Sequence, residues 1–85
     1  MQIDPQELKQ ARDRLSRVQG QIQGIVKMID EQRDCTDILT QIAAANTALT
    51  RAGFQIISTG MAHCAADASG QADRAVLEKA FMSLA

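Results

Sequence analysis

The sequence predicts an all-α protein with three helices in one domain spanning residues 1–85. Alanine, glutamine, isoleucine and leucine dominate the composition and only two residues are aromatic, which is typical of helical packing. Two long stretches carry apolar residues at steps of three and four, the spacing of one helix face. Because so short a chain buries a limited core by itself, we also expect it to oligomerise.

The first helix is predicted to begin at Asp4 and to end near Gln32. Asp4 would be the N-cap, Pro5 the first helical residue and Glu7 the acid of a capping-box-like pair. One apolar stripe is expected to be buried, and its residues are Leu8, Ala11, Leu15, Val18, Ile22, Ile25, Val26 and Ile29.

The second helix is the longest predicted element, and it runs from Asp34 as N-cap to Cys64. Asp37 supplies an acid in its first turn, and no proline interrupts the stretch. The polar turn at residues 30–34 favours an antiparallel hairpin with the first helix. The expected buried stripe consists of Cys35, Ile38, Leu39, Ile42, Ala45, Leu49, Ala52, Ile56, Gly60 and Cys64.

Four glycines lie inside the two long helices. Gly20 and Gly24 in the first could allow the close approach of a partner backbone. In the second helix, Gly53 and the stretch Ser58-Thr59-Gly60 could loosen or bend it.

A loop is predicted at residues 65–72, where the sequence is small and polar. A third, short helix would begin at Asp73. Its apolar side would consist of Val76, Leu77, Ala80, Phe81 and Leu84.

The two cysteines lie at opposite ends of the second helix. Separated by 29 positions, they would share a face to within roughly 20° and be separated by roughly 43 Å along the axis. If two such helices pair antiparallel, Cys35 of one chain meets Cys64 of the other. The helix start favours the thiolate form of Cys35, and Cys64 would resolve its products. The alternative is that both cysteines are small buried hydrophobes.

Charge is unevenly distributed along a chain whose net charge is −1. Between Lys9 and Arg33, six basic residues stand against three acids, so the first helix is locally basic. Arg14 and Arg17 lie on its polar side and Arg51 lies midway along the second helix. Charge alone favours an ordinary solvated surface for these arginines, and the functional alternative is contact with DNA phosphates or guanine bases.

Several classes of function are not expected. The sequence has no apolar run long enough for a membrane span and no signal peptide at its start, so a cytoplasmic location is predicted. Without export, two cysteines point to a reactive or metal-binding role rather than a structural disulfide. No catalytic constellation is found beyond the thiols, so we expect no enzyme.

Two motifs and two cysteines together form a specific pattern. The motifs are RLSRVQGQIQGIVKMI at residues 14–29 and DILTQIAAAN at residues 37–46, and the cysteines are Cys35 and Cys64. Over about residues 8–84 this pattern resembles the CsoR/RcnR/FrmR family of bacterial repressors. The resemblance implies antiparallel helical dimers that pair into a disc-like tetramer. It also implies binding of operator DNA without a helix-turn-helix, and release when an inducer occupies the cysteine site.

Members of this family respond to different inducers, and the residues at a few positions differ accordingly. Copper sensors carry a histidine four residues before the second cysteine, where this chain has Gly60. Nickel and cobalt sensors use histidines where this chain has Ile3 and Cys64, and formaldehyde sensors have proline where this chain has Gln2. The remaining two-cysteine pattern is similar to the persulfide-sensing branch, the CsoR-like sulfurtransferase repressors. The segment at residues 51–61 also looks like that branch.

The resemblance implies a concrete mechanism. Cys35 would attack an organic or inorganic persulfide, and Cys64 of the partner subunit would resolve it into a disulfide or a polysulfide bridge that releases DNA. Arg14 and Arg51 match basic positions that the family uses for DNA binding. Arg17, together with Lys27, is assigned by charge and placement.

Two alternatives stay open. We expect no metal cofactor, but a Cu(I)-responsive repressor would use Cys35 and Cys64, with His63 as a third donor. A thiol redox or metal-carrier protein without any DNA role is the alternative from another class.

Overall fold

The computed structural model describes residues 1–66 and 70–85 of the chain. Within them, a 3-10 turn at Pro5–Leu8 leads into three helices, which are α1 (Lys9–Asp30), α2 (Cys35–Ala66) and α3 (Gln71–Leu84). The predicted all-α class is therefore confirmed. None of these helices combines the length and the apolar character that crossing a membrane requires.

The chain starts its helical path at Asp4, as predicted, but the first turn is tighter than an α-helix. The Asp4 carboxylate accepts a hydrogen bond from the Gln6 backbone N–H at 2.8 Å, which caps the turn. The α-helical hydrogen bonds begin only at Lys9. A 3-10 turn is a common way to tighten a helix start.

The end of α1 is set by one residue in the left-handed region. Gln32 has φ 57°, its N–H donates to the Ile29 carbonyl at 3.1 Å, and the Arg33 N–H donates to the Met28 carbonyl at 2.9 Å. This pair of bonds is a Schellman motif, in which glycine usually fills the left-handed position. The helix consequently ends at Asp30, two residues before the predicted end.

The start of α2 is capped as predicted. The Asp34 carboxylate accepts a hydrogen bond from the Thr36 backbone N–H at 3.1 Å, and the Ile38 N–H donates to the Asp34 carbonyl at 3.1 Å. Cys35 is therefore the first residue of the helix.

The helices form a flat molecule with extents of 54 × 25 × 12 Å, about the thickness of one helix. Helix α1 packs antiparallel to α2, and α3 packs against the second half of α2. The buried apolar residues are few and mostly small, namely Ala11, Val18, Ala45, Ala52 and Ile57. One layer of helices leaves the outer side of each predicted stripe uncovered.

Much of the predicted apolar stripe is exposed in a single chain. Ile29 and Leu39, on either side of the α1–α2 turn, are each 57% exposed. Other exposed members of the two stripes are Ile22, Val26, Ile42 and Leu49. Exposed apolar residues at helical spacing along both long helices are typical of a surface that another chain covers.

Two glycines of α2 make room for leucines of α3 and do not interrupt the helix, which is continuous. A Cβ atom at Gly53 would lie 2.6 Å from Leu84 Cδ1, and one at Gly60 would lie 3.0 Å from Leu77 Cδ1. These glycines therefore serve the packing of α3, and they do not break the helix.

The predicted loop at 65–72 is shorter in the structure. Helix α2 continues to Ala66, Gly70 is in a turn, and α3 begins at Gln71, two residues before the predicted Asp73. The central part of this predicted loop, 67–69, lies outside the described residues. Helix α3 packs on α2 through Phe81 and Phe54, whose ring centroids are 5.3 Å apart.

Candidate thiol and DNA-binding sites

The two cysteines are free thiols at opposite ends of one continuous helix. Cys35 is exposed and Cys64 is half-buried. Because both belong to α2, which has 32 residues, the rise of the helix separates them by roughly 43 Å. One protomer therefore does not bring its own two thiols together.

Cys35 lies beside an ionised carboxylate that fixes the helix start. Hydrogen bonds from the Thr36 hydroxyl, and next from the Thr36 backbone N–H, lower the pKa of Asp34 below its ordinary value of 3.8. The cap is consequently present at neutral pH, and it holds the backbone on both sides of Cys35 in a defined conformation.

Cys64 opens into a cavity of about 250 Å³ between the chain start, the end of α2 and α3. Its polar groups include the Met1 amine, which lies 4.0 Å from the Asp73 carboxylate. The cavity is lined by Met1, Gln2, His63, Cys64, Gly70 and Asp73. A reagent can therefore reach Cys64 through a polar opening.

His63 is held by a contact that the sequence analysis missed. Its Nε2 atom forms a hydrogen bond with the Glu7 carboxylate, which ties the 3-10 turn to the end of α2. Glu7 therefore faces His63 instead of closing the predicted capping box. The two residues are 56 positions apart, and no local sequence signal connects them.

The metal-binding capacity of one chain is limited. Among the described residues, no group of three or more His, Cys, Asp and Glu side chains could hold a metal ion. At Gly60, the position of the copper-sensor histidine, Leu77 lies where a side chain would start. Two soft thiolates, one from each of two protomers, do suit Cu(I), so the donor set fits Cu(I) across a dimer.

The predicted DNA-binding arginines converge. Arg14 and Arg17 of α1 face Arg51 of α2 across a groove of about 410 Å³, which we call the arginine groove. Its remaining lining residues are Gln21, Ala44, Thr47 and Ala48. Lys27, the fourth predicted residue, does not line the groove, and its ammonium lies 3.6 Å from the Glu31 carboxylate.

The three guanidinium groups of the groove have no carboxylate within 4.0 Å in the described part of the chain. Asp13 lies nearby, and its carboxylate accepts a hydrogen bond from Lys9 at 2.8 Å. That bond first, and then the charges of Lys9, Arg12 and Arg17, lower the pKa of Asp13 below its ordinary 3.8. Asp13 is therefore ionised at neutral pH and bonded to Lys9, and the lining of the groove itself holds three arginines and no acid.

The flat helical hairpin matches a transcriptional regulator of known structure. The match is to the nickel-responsive transcriptional regulator InrS, with a TM-score of 0.69 and 27% sequence identity, over 99% of this chain and 94% of that chain. The fold is therefore that of a helical transcriptional regulator. Over residues 7–84, the sequence matches the family described as metal-sensitive transcriptional repressor, and the chain belongs to this family.

Two characterised relatives are copper-sensing transcriptional repressors. CsoR of Bacillus subtilis is 38% identical over 74 residues, which cover 85% of this chain and 73% of that protein. RicR of Mycobacterium tuberculosis is 43% identical over 51 residues, which cover 60% of this chain and 53% of that protein. The resemblance to the CsoR family is thereby confirmed.

Family membership decides several of the expectations. The protein is a transcriptional repressor that binds operator DNA, and it is not an enzyme. The alternative of a carrier protein without a DNA role is therefore wrong. The expectation of no metal cofactor is contradicted as well, because the family is one of metal-sensitive repressors and these two relatives sense copper.

Proposed function

We propose that this repressor senses its inducer at a dithiol made by Cys35 of one protomer and Cys64 of the partner subunit. The placement of two free thiols at opposite ends of one continuous helix carries the proposal. An antiparallel pair of α2 helices would place each thiol beside its counterpart, and two-fold symmetry would create two equivalent sites. The repressor would act in the cytoplasm, where thiols stay reduced.

The uncovered apolar surface supports this dimer. A groove of about 470 Å³, lined mainly by apolar residues of α1 and α2, is continuous with the exposed Ile22 and Leu49. The exposed apolar stripes run along both long helices, so a second copy packed against them would cover both. Two such dimers would form the disc-like tetramer.

We propose a persulfide as the inducer. The Cys35 thiolate attacks the outer sulfur of a persulfide RSSH, which yields a Cys35 persulfide and releases RS⁻. The thiolate of Cys64 of the partner subunit then attacks the inner sulfur of that persulfide. This second step forms an interchain disulfide and expels HS⁻. A second persulfide equivalent would give a longer sulfur bridge.

The packing at Gly60 favours this chemistry. Leu77 occupies the space into which a side chain at Gly60 would project, and His63 is engaged by Glu7. The sensing site therefore contains two sulfurs and no free imidazole from these positions. Covalent sulfur chemistry needs only the two thiols.

The second candidate inducer is Cu(I), because two characterised relatives sense copper. Cys35 and Cys64 of the partner subunit would hold the ion as thiolates, ligands that select Cu(I). A bound ion would supply a coordinate bond between protomers in place of the disulfide. Either inducer would link the same two sulfur atoms.

Operator binding is assigned to the arginine groove. Arg14, Arg17 and Arg51 face one concavity and carry no partner carboxylate in the described residues. Linking Cys35 to Cys64 across the dimer would shift the paired helices and so disturb the spacing of these grooves. A coupling free energy of about 1–3 kcal/mol lowers operator affinity by roughly 5- to 150-fold.

One titration tests the proposal. A fluorescent duplex from the protein's own promoter is titrated with reduced protein and then with protein exposed to glutathione persulfide, Cu(I) or hydrogen peroxide. We expect the persulfide to weaken binding, and Cys35→Ser to bind DNA normally but without this response. Ala65→Ser, an exposed neighbour of Cys64, is the matched control and should respond like the parent.

The outcomes separate the candidates. If Cu(I) alone weakens operator binding, and both Cys35→Ser and Cys64→Ser abolish this effect, the inducer is the metal and not a persulfide. A response to every inducer in Cys35→Ser would show that this thiol does not sense. Unchanged affinity under all three reagents would refute sensing at the dithiol.

A further inference from the structure

We propose that the arginine groove is a seat for one backbone phosphate of duplex DNA in each protomer, and that Gln21 contacts this phosphate. The inference rests on the proposed use of the groove for operator binding and specifies its chemistry. Beyond the charge of the arginines, it assigns a role to the neutral residue Gln21 and requires that the groove stay open.

The groove lies between two ridges that follow from helix spacing. Arg14, Arg17 and Gln21 occur at steps of three and four on α1, so they form one ridge. The lining residues of α2 have the same spacing and form the facing ridge, from Ala44 to Arg51. The side chains of Ala44 and Ala48 end at Cβ, so a larger residue at either position would narrow the groove.

Charge determines which ligand suits this space. The guanidinium groups of Arg14, Arg17 and Arg51 border one cavity of about 410 Å³ without any carboxylate within 4.0 Å in the described residues. Three like charges around one cavity repel each other unless an anion lies between them. A phosphodiester matches the donor geometry of guanidinium groups, and duplex DNA presents one at every step of each strand.

Gln21 supplies what the arginines do not. Its amide offers two N–H donors without adding charge, and it lies one turn beyond Arg17 on the same ridge. The side chain is partly buried, which restricts its rotamers and reduces the entropy lost on binding. Its contribution should therefore be nearly independent of salt, whereas each arginine contributes through counterion release.

The experiment measures operator affinity as a function of salt for the tetramer or dimer as it exists in solution. Gln21→Leu removes the amide donors and keeps a side chain of similar size. Ala44→Leu places a larger side chain in the lining of the arginine groove without changing its charge. Ala75→Leu makes the same change at an exposed position on α3 and serves as the control. Arg51→Gln provides the reference for loss of one charge.

We expect Gln21→Leu to weaken binding about tenfold for each protomer that contacts DNA, the effect of one hydrogen bond to a charged group, with an unchanged salt slope. Arg51→Gln should reduce the slope by about one unit for each such protomer. Ala44→Leu should weaken binding at every salt concentration, and Ala75→Leu should bind like the parent. Circular dichroism and light scattering establish that each variant keeps its helices and its oligomeric state.

The proposed phosphate site would be refuted if Gln21→Leu and Ala44→Leu both bound DNA like the parent while Arg51→Gln bound it more weakly. Diffuse electrostatic attraction would then explain the binding. If Ala44→Leu changes the oligomer, Gln21→Leu alone decides, because that substitution adds no bulk. A parent protein that binds no duplex even at low salt would instead refute operator binding through this groove altogether.

Discussion

Gly60 is packed against Leu77 so closely that a methyl group added there changes stability in a predictable way. A Cβ at this position would lie 3.0 Å from Leu77 Cδ1 and 3.2 Å from Cδ2, tighter than normal contact. Alanine gains about 1 kcal/mol over glycine in a helix interior, but overpacking typically costs about 1–3 kcal/mol. We therefore expect Gly60→Ala to be neutral or destabilising by up to about 2 kcal/mol.

Removing the leucine reverses the expected sign. In a Leu77→Ala background the three nearest contacts of the added methyl group are removed, because all three are Leu77 atoms. Gly60→Ala should then stabilise by about 1 kcal/mol. The double-mutant cycle should give a coupling free energy of about 1–3 kcal/mol. Urea unfolding followed by circular dichroism at one fixed protomer concentration measures all four proteins. Equal stabilisation by Gly60→Ala in both backgrounds would refute the packing argument.

Two further predictions concern the helix ends and the basic surface. Gln32→Gly should stabilise the protein by about 1 kcal/mol, because residue 32 has φ 57° and glycine adopts that region without strain; a lowered urea midpoint would contradict this. Asp13→Asn tests a pH dependence, since the folded-state pKa of Asp13 is depressed below 3.8, chiefly by the hydrogen bond from Lys9. That carboxylate stabilises the fold above about pH 3.8, and this stabilisation is lost as pH falls through its folded-state pKa. In thermal melts, the parent should therefore be more stable than Asp13→Asn at about pH 6. The melting temperatures of the two proteins should converge near about pH 2. A constant difference in melting temperature across that range would contradict the assignment.

Much of the fold could be predicted because its signals are local. Asp4 and Asp34 are capping residues in the sequence and in the structure, and both long helices follow the apolar spacing. The 3-10 turn and the exact end of α1 depend on backbone hydrogen bonds that propensity does not resolve. Gln32 in the left-handed region, where glycine is expected, is one such case.

Features that depend on contacts distant in sequence were less accessible. The glycines of α2 could only suggest flexibility until Leu77 and Leu84 were seen against them. The contact between His63 and Glu7 joins residues 56 positions apart. The metal expectation failed because family membership, rather than the spacing of donors within one chain, carries that information.

The candidate sites were only partly accessible to sequence reasoning. Arg14, Arg17 and Arg51 were identified one by one from charge, and the structure brings them to one groove. Gln21 carried no signal by itself, because a neutral residue becomes informative only beside the arginines. The meeting of two thiols involves a second chain, so it stays a prediction.

Sensing as proposed requires that Cys35 of one protomer meets Cys64 of another, and peptide mapping can detect this pairing. Isotopically light and heavy protein are mixed, allowed to assemble, exposed to persulfide and digested with trypsin without reduction. Trypsin separates the thiols, since Cys35 lies in peptide 34–51 and Cys64 in peptide 52–74. We expect a peptide of mixed isotope mass in which 34–51 is linked to 52–74. Links only between identical peptides, or no interchain link at all, would contradict it.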